Sequence, residues 1–189
     1  ESIPLAYYGE SNIGKLKTLY RHGLGIRYGR KMQTIAGIHY NLSFPSEFWQ
    51  AWQVASQTSG ELQDFINEQY FGLIRNFQRH SYLLLYLLGA SPAVCACFLL
   101  GRDHNLASLG TGTLYQPYAT SLRMSRLGYQ NTVQSDLQVS YNQLADYIHD
   151  LSHAIHTPYP PFAELGLKKD GVYQQMNTNV LQIENEYYG

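Results

Sequence analysis

Charge is scarce in this 189-residue sequence: Asp, Glu, Lys and Arg together make up 14% of it, against roughly a quarter in an average soluble domain. What charge there is nearly cancels, with 13 Lys and Arg against 14 Asp and Glu and a formal net charge of −1. Such a chain lacks the positive surplus that draws proteins to nucleic acids or anionic membrane surfaces, and neither partner is expected. Cysteine is scarcer still. Cys95 and Cys97 are the only two, one residue apart in an apolar run, too few for a zinc site and too close for an ordinary disulfide. They are expected as buried, reduced structural thiols, which fits a cytoplasmic protein. The opening residues lack the basic and apolar regions of a signal peptide, so none is expected. Asn41-Leu42-Ser43 matches a glycosylation sequon by chance. A phosphate-binding glycine loop and a nucleophile elbow are both missing.

Apolar residues, by contrast, reach 44%, enough to bury a core and to exclude disorder over a length that suits one domain or part of one. Tyrosine is the unusual figure, at 17 residues. Its rigid ring and hydrogen-bonding tip suit pocket walls. From Ser81 to Leu100 the chain carries no charged residue over 20 positions, the length of a membrane-spanning helix. Gly89-Ala90-Ser91-Pro92 interrupts that run, so it reads as two buried helices joined by a turn, with Ser91 capping the second and Pro92 opening it.

Asn12 to Arg30 is expected to form a short amphipathic helix, with Leu16, Leu19, Tyr20 and Leu24 inward, Lys15, Lys17, Arg21 and Arg27 around them, and a break at Gly23 and Gly25. Gln33 to Phe44 alternates and reads as a strand with an apolar face and a polar face made by Gln33, His39, Asn41 and Ser43. That polar face either lines a cleft or is simply solvated. Ser46 is read as the cap of a helix carrying Phe48, Trp49 and Trp52. A longer helix follows with Leu62, Phe65, Ile66, Leu73, Ile74 and Phe77 as its core stripe. Gly101 to Gly112 reads as an exposed loop and Gln134 to Val139 as extended. Ser140 and Gln143 read as a capping box for a helix through His156, stopped by the prolines that follow. Lys169-Asp170-Gly171 is a tight turn, with Val172 to Asn177 and Asn179 to Glu186 read as strands. The whole is an α+β pattern.

Two further groups have ligand-like spacing. His149, His153 and His156 recur at helical intervals, which reads as a solvated face or a metal site. Glu184 and Glu186 fall on one face of the last expected strand, either exposed or able to hold Mg²⁺.

Four stretches go further: TLYRHGLGIRYGRKMQTIAGIHYNLSF from Thr18, LGASPAVCACFL from Leu88, YATSLRMSRLGYQN from Tyr118 and NTNVLQIENEYY from Asn177. On these motifs the chain resembles the proteobacterial type of glutamate-cysteine ligase. The resemblance implies a glutamine-synthetase-like α+β fold with an antiparallel sheet forming a funnel, onto which the polar face of Gln33 to Ser43 would look. It also implies ATP-dependent joining of the γ-carboxyl of L-glutamate to the amine of L-cysteine through a γ-glutamyl phosphate, the first step of glutathione synthesis, with Mg²⁺ or Mn²⁺ as cofactor and ATP as co-substrate. His39 would be a metal ligand. Tyr20, Leu24 and Gln33 would belong to the cysteine pocket, closed by Tyr129 and Tyr188. Arg123 would hold a substrate carboxylate, and Arg21 would supply positive charge toward a phosphate or carboxylate. Glutathione is implied as a feedback inhibitor, and a monomer is expected. Because family members are longer, residues 1–189 are expected to be a central part of a single catalytic domain, lacking acidic metal ligands and making no product alone. Two other readings remain, a ligase of the same fold using another amine and a non-catalytic binding domain.

Overall fold

In a computed structural model, the residues described are 3–34, 40–89, 91–122, 125 and 132–187. The first helix, α1 (Asn12–Tyr28), starts where Ser11 Oγ accepts a hydrogen bond from the Gly14 amide and ends at Gly29, whose φ of 86° no β-carbon-bearing residue adopts readily. Gly23 and Gly25 do not break it. A β-carbon at Gly23 would overlap the side-chain amide of Gln182, and one at Gly25 would lie 3.2 Å from Arg30 Cγ and 3.4 Å from Gln33 Nε2. Both glycines therefore act as clearances for neighbouring chain, at a helix-propensity cost of about 1 kcal/mol each.

Gln33 does not begin a strand. It lies in a 3₁₀ turn, Arg30–Thr34, and residues 40–45 have no regular structure. Alternation specifies two faces but supplies no partner for a hydrogen-bond ladder, and among the described residues none pairs with this segment. Residues 35–39 of the expected strand, His39 included, lie outside the described residues.

Helix α2 (Ser46–Ala55) has Pro45 rather than Ser46 at its cap. It packs on α3 (Leu62–Leu88) through Trp49, which meets Tyr70 at 4.9 Å and Phe48 at 5.1 Å between ring centroids. In α3, Phe65 and Phe71 are buried, whereas Leu73 and Phe77 of the expected core stripe are exposed.

The expected second helix after Pro92 is replaced by β1 (Ala93–Cys95) and a 3₁₀ turn, Ala96–Leu99. Ser91 sits at a φ of 72°, outside the extended conformation of an N-cap. Antiparallel pairing to β3 (Thr113–Tyr115) takes β1 instead, with β2 (Ala107–Ser108) on the other side of β3. The loop expected from Gly101 to Gly112 thus contains a strand. Nor is the first half of the uncharged run buried: Tyr82, Leu83, Leu84, Tyr86, Leu87 and Leu88 are all exposed. No described helix is long and apolar enough to cross a membrane.

Helix α4 (Leu144–His156) begins four residues after Ser140, so the expected capping box does not form. Asp150 accepts from the Ser140 amide at 2.8 Å and Gln143 Nε2 donates to Asp146 at 2.9 Å. Arg75 of α3 donates to the carbonyls of Tyr141 and Asn142 and ties this approach down. The expected extended run from Gln134 starts at the end of a 3₁₀ turn, Thr132–Gln134. Helix α5 (Pro160–Glu164) follows. The turn at Asp170 and Gly171 then joins β4 (Lys168–Lys169) to β5 (Val172–Tyr173), both turn residues having positive φ. Beyond Tyr173 the two expected strands reduce to one bridge, Pro158 with Asn179, and a 3₁₀ turn, Glu184–Glu186. Leu151 and Ala154 of α4 bury against Val180 and Leu181 to form the apolar core.

Candidate functional site

Beside that core lies a second, polar one. Arg27, which the amphipathic reading placed toward solvent, points from α1 into residues 174–186, and its side chain and that of Glu186 are both fully buried. Arg27 Nη1 meets Glu186 Oε1 at 3.4 Å, Nε donates to Gln175 Oε1 at 2.9 Å, and Nη2 donates to the Asn177 carbonyl at 2.7 Å. The guanidinium also stacks 4.2 Å from the Phe162 ring centroid. Glu186 is saturated in turn: Oε1 accepts from the Tyr28 hydroxyl at 2.8 Å, and Oε2 from the Gln182 amide at 2.6 Å. Gln134 Nε2 donates to its carbonyl.

A buried ion pair loses several kcal/mol of hydration per ion and survives only where such hydrogen bonds replace water. Burial pushes Arg27 below its usual value, and the neighbouring Glu186 carboxylate works against that. Burial, reinforced by the Glu186 charge, holds the Tyr28 phenol well above the ordinary tyrosine range. The Gln175 amide completes the centre by donating to the carbonyls of Phe162 and Gly166. Among the described residues no buried side-chain nitrogen or oxygen lacks a partner.

This arrangement corrects the expectation that Glu184 and Glu186 share a face. They stand in one 3₁₀ turn with Glu184 exposed and Glu186 enclosed, its oxygens already taken. His149, His153 and His156 are exposed on α4, and no group of three His, Cys, Asp or Glu among the described residues could hold a metal.

Of the residues singled out for substrate, Tyr20, Arg21, Leu24 and Gln33 come together around the C-terminal half of α1. Gln33 Nε2 folds back to donate to the Arg21 carbonyl at 3.0 Å, and the Tyr20 carbonyl accepts from Gln182 Nε2 at 3.5 Å. Leu24 is 1% exposed, a packed residue at the foot of this group. Arg21 is half-buried and makes no ion pair among the described residues. His39, Arg123, Tyr129 and Tyr188 lie outside the described residues. Sequence reasoning missed Tyr28, Gln175 and Gln182, and it placed Arg27 toward solvent and Glu186 on an exposed or metal-binding face where the structure buries both side chains. The available signal was the amide-rich run Gln174 to Asn185, whose polar side chains stand in for a strand's ladder.

The described residues define an α+β protein whose first helix is clamped by buried amides and one enclosed ion pair. That architecture and sequence have relatives. The glutamate-cysteine ligase family model matches residues 1–189. The glutamate-cysteine ligase of Alcanivorax borkumensis is 58% identical over 98% of the chain, and that of Hahella chejuensis 57% over its whole length, each alignment covering 36% of the relative. The crystal structure of the glutamate-cysteine ligase of Francisella tularensis in complex with AMP matches with a TM-score of 0.85 and 38% identity, over 97% of this chain and 36% of that one. The chain belongs to the glutamate-cysteine ligase family, and it spans about a third of the length of the curated relatives it matches.

Proposed function

We propose that the protein to which this segment belongs joins the γ-carboxyl of L-glutamate to the amine of L-cysteine with ATP, through a γ-glutamyl phosphate and with release of ADP. The observation that carries the reading is identity of 55–58% to the glutamate-cysteine ligases it matches, over nearly the whole chain. The AMP held by the Francisella relative supports a nucleotide co-substrate. A carboxylate is a poor electrophile and an ammonium is no nucleophile, so phosphorylation must precede attack by the free amine.

In this reading residues 1–189 are a central part of one catalytic domain and supply the cysteine pocket. Gln33 is anchored on the Arg21 carbonyl by its nitrogen, which leaves Oε1 to accept from the incoming amine. Tyr20 and Leu24 shape the adjoining wall, with Tyr129 and Tyr188 closing over it. Arg21 and Arg123 balance carboxylate or phosphate charge, and holding the reactants together removes much of the entropic cost of their encounter. Mg²⁺ or Mn²⁺, when bound, neutralises phosphate charge, and His39 is the proposed ligand within this segment. The described residues do not themselves compose a metal site. The segment alone is expected to make no product, and glutathione to inhibit the whole protein.

The test is ADP release by the protein at the full length of its relatives, with glutamate and with cysteine present, absent or replaced by other small amines. Release requiring both glutamate and cysteine supports the reading. Release with a different amine keeps the fold and moves the substrate, and no release with any amine overturns it. Tyr129→Ala should then raise KM for cysteine more than it lowers kcat, whereas His39→Ala should lower kcat and raise the metal concentration required.

A further inference from the structure

The two cysteines are not the buried thiols that their apolar surroundings suggest, and their close spacing does not keep the sulfurs apart as expected: Cys95 is exposed and Cys97 half-buried. Cys95 closes β1, opposite Thr113, and the backbone then turns into the 3₁₀ segment Ala96–Leu99. The Ala96 amide holds that corner by donating to the Gly112 carbonyl at 2.9 Å. The turn brings Cys95 Sγ and Cys97 Sγ to 2.7 Å, and the Cys97 amide donates to Cys95 Sγ at 3.4 Å. They are the two cysteines of residues 1–189. Lys31 Nζ donates to the Cys97 carbonyl at 3.0 Å, so the pair is also tied to the 3₁₀ turn that carries Gln33.

We propose that Cys95 and Cys97 are a reversible dithiol modification site whose co-reactants are small disulfides. The exposed Cys95 thiolate attacks one sulfur of the small disulfide, forming a mixed disulfide and expelling one small thiolate, which takes up the proton Cys95 lost. The Cys97 thiolate then attacks Cys95 Sγ, forming the internal disulfide and expelling the second small thiolate. Two cysteines are oxidised by two electrons, and one small disulfide is reduced to two thiols. Because the two sulfurs are already in contact, the second step is intramolecular at high effective concentration and outruns a second mixed disulfide. The site does not depend on the ligase reading, since β1 and the turn after it bring the two sulfurs together.

The experiment equilibrates the intact protein with hydroxyethyl disulfide and mercaptoethanol at graded ratios, quenches with acid and alkylates the remaining thiols. Cleavage after Arg79 and Arg102 leaves both cysteines on one peptide, whose mass reads the state of the pair. The expected result is conversion from the doubly alkylated peptide to one two hydrogens lighter than the dithiol, without accumulation of mixed disulfide. The midpoint should fall at a disulfide-to-thiol ratio about tenfold lower than for the same peptide in isolation. Cys97→Ser should trap Cys95 as the mixed disulfide. An equal or higher midpoint in the folded protein, mixed disulfides on both cysteines, or thiols that stay alkylatable where the isolated peptide closes would each overturn the proposal.

Discussion

The junction of α1 with residues 174–186 and the C-terminal end of α3 are opposites in both composition and environment. The first holds a full positive and a full negative charge and is sealed from solvent. The second runs from Ser81 to Leu88 without any charge, and its tyrosines and all of its leucines but Leu85 are exposed. Composition alone would reverse the two. Burial follows from whether every group finds a partner: Glu186 has Tyr28, Gln182 and Arg27 in place, whereas nothing described packs over Tyr86 or Leu87.

The largest effect expected comes from breaking the pair on one side. Glu186→Ala leaves Arg27 as an uncompensated buried charge and should cost about 3–5 kcal/mol in denaturant unfolding. Adding Arg27→Met to that variant should recover part of the loss, and a double-mutant cycle showing simple additivity would mean the two charges do not interact. Tyr28→Phe removes a hydrogen bond to a carboxylate and should cost about 1.5–3 kcal/mol.

That phenol also carries a pH signature. Its folded pKa lies above its unfolded one, so its contribution to stability is complete below about pH 10 and fades as pH rises further. Tyr141, raised by burial and by Tyr187, adds to the same alkaline loss. Stability measured from pH 9 upward should therefore fall less steeply in Tyr28→Phe than in the parent.

Gly23→Ala tests close approach. Helix propensity favours alanine by about 1 kcal/mol, but the added carbon meets the Gln182 amide, and a net destabilisation of about 1–3 kcal/mol is expected by thermal unfolding. The smallest effect belongs to the other region. Leu87→Gln in the 189-residue chain should change stability by less than about 0.5 kcal/mol, since the side chain is 64% exposed.

Much of the local structure was legible because its causes are local. The turn at Asp170-Gly171 needs positive φ at both residues, and aspartate and glycine tolerate it. The long helix of α3 follows from its periodicity, and the stop after His156 from the prolines. The motifs around Tyr20, Leu24 and Gln33 marked the family, and the structure gathers those residues at one end of α1. The capping box at Ser140 failed because Asp150, ten residues on, captured the Ser140 amide. The strand read from Gln33 did not form because alternation encodes two faces and says nothing about a neighbour.

By itself, then, the sequence determined the α+β class, the positions of the main helices and tight turn, and membership in the glutamate-cysteine ligase family, because propensity, turn chemistry and motif are properties of short stretches. Only the tertiary structure decided that Arg27 and Glu186 are internal, that Gly23 and Gly25 are clearances in an unbroken helix, and that Cys95 and Cys97 stand in contact near the surface. Each of those outcomes depends on where a distant segment lies. A residue's solvation is set by what packs against it, and no local pattern contains that information.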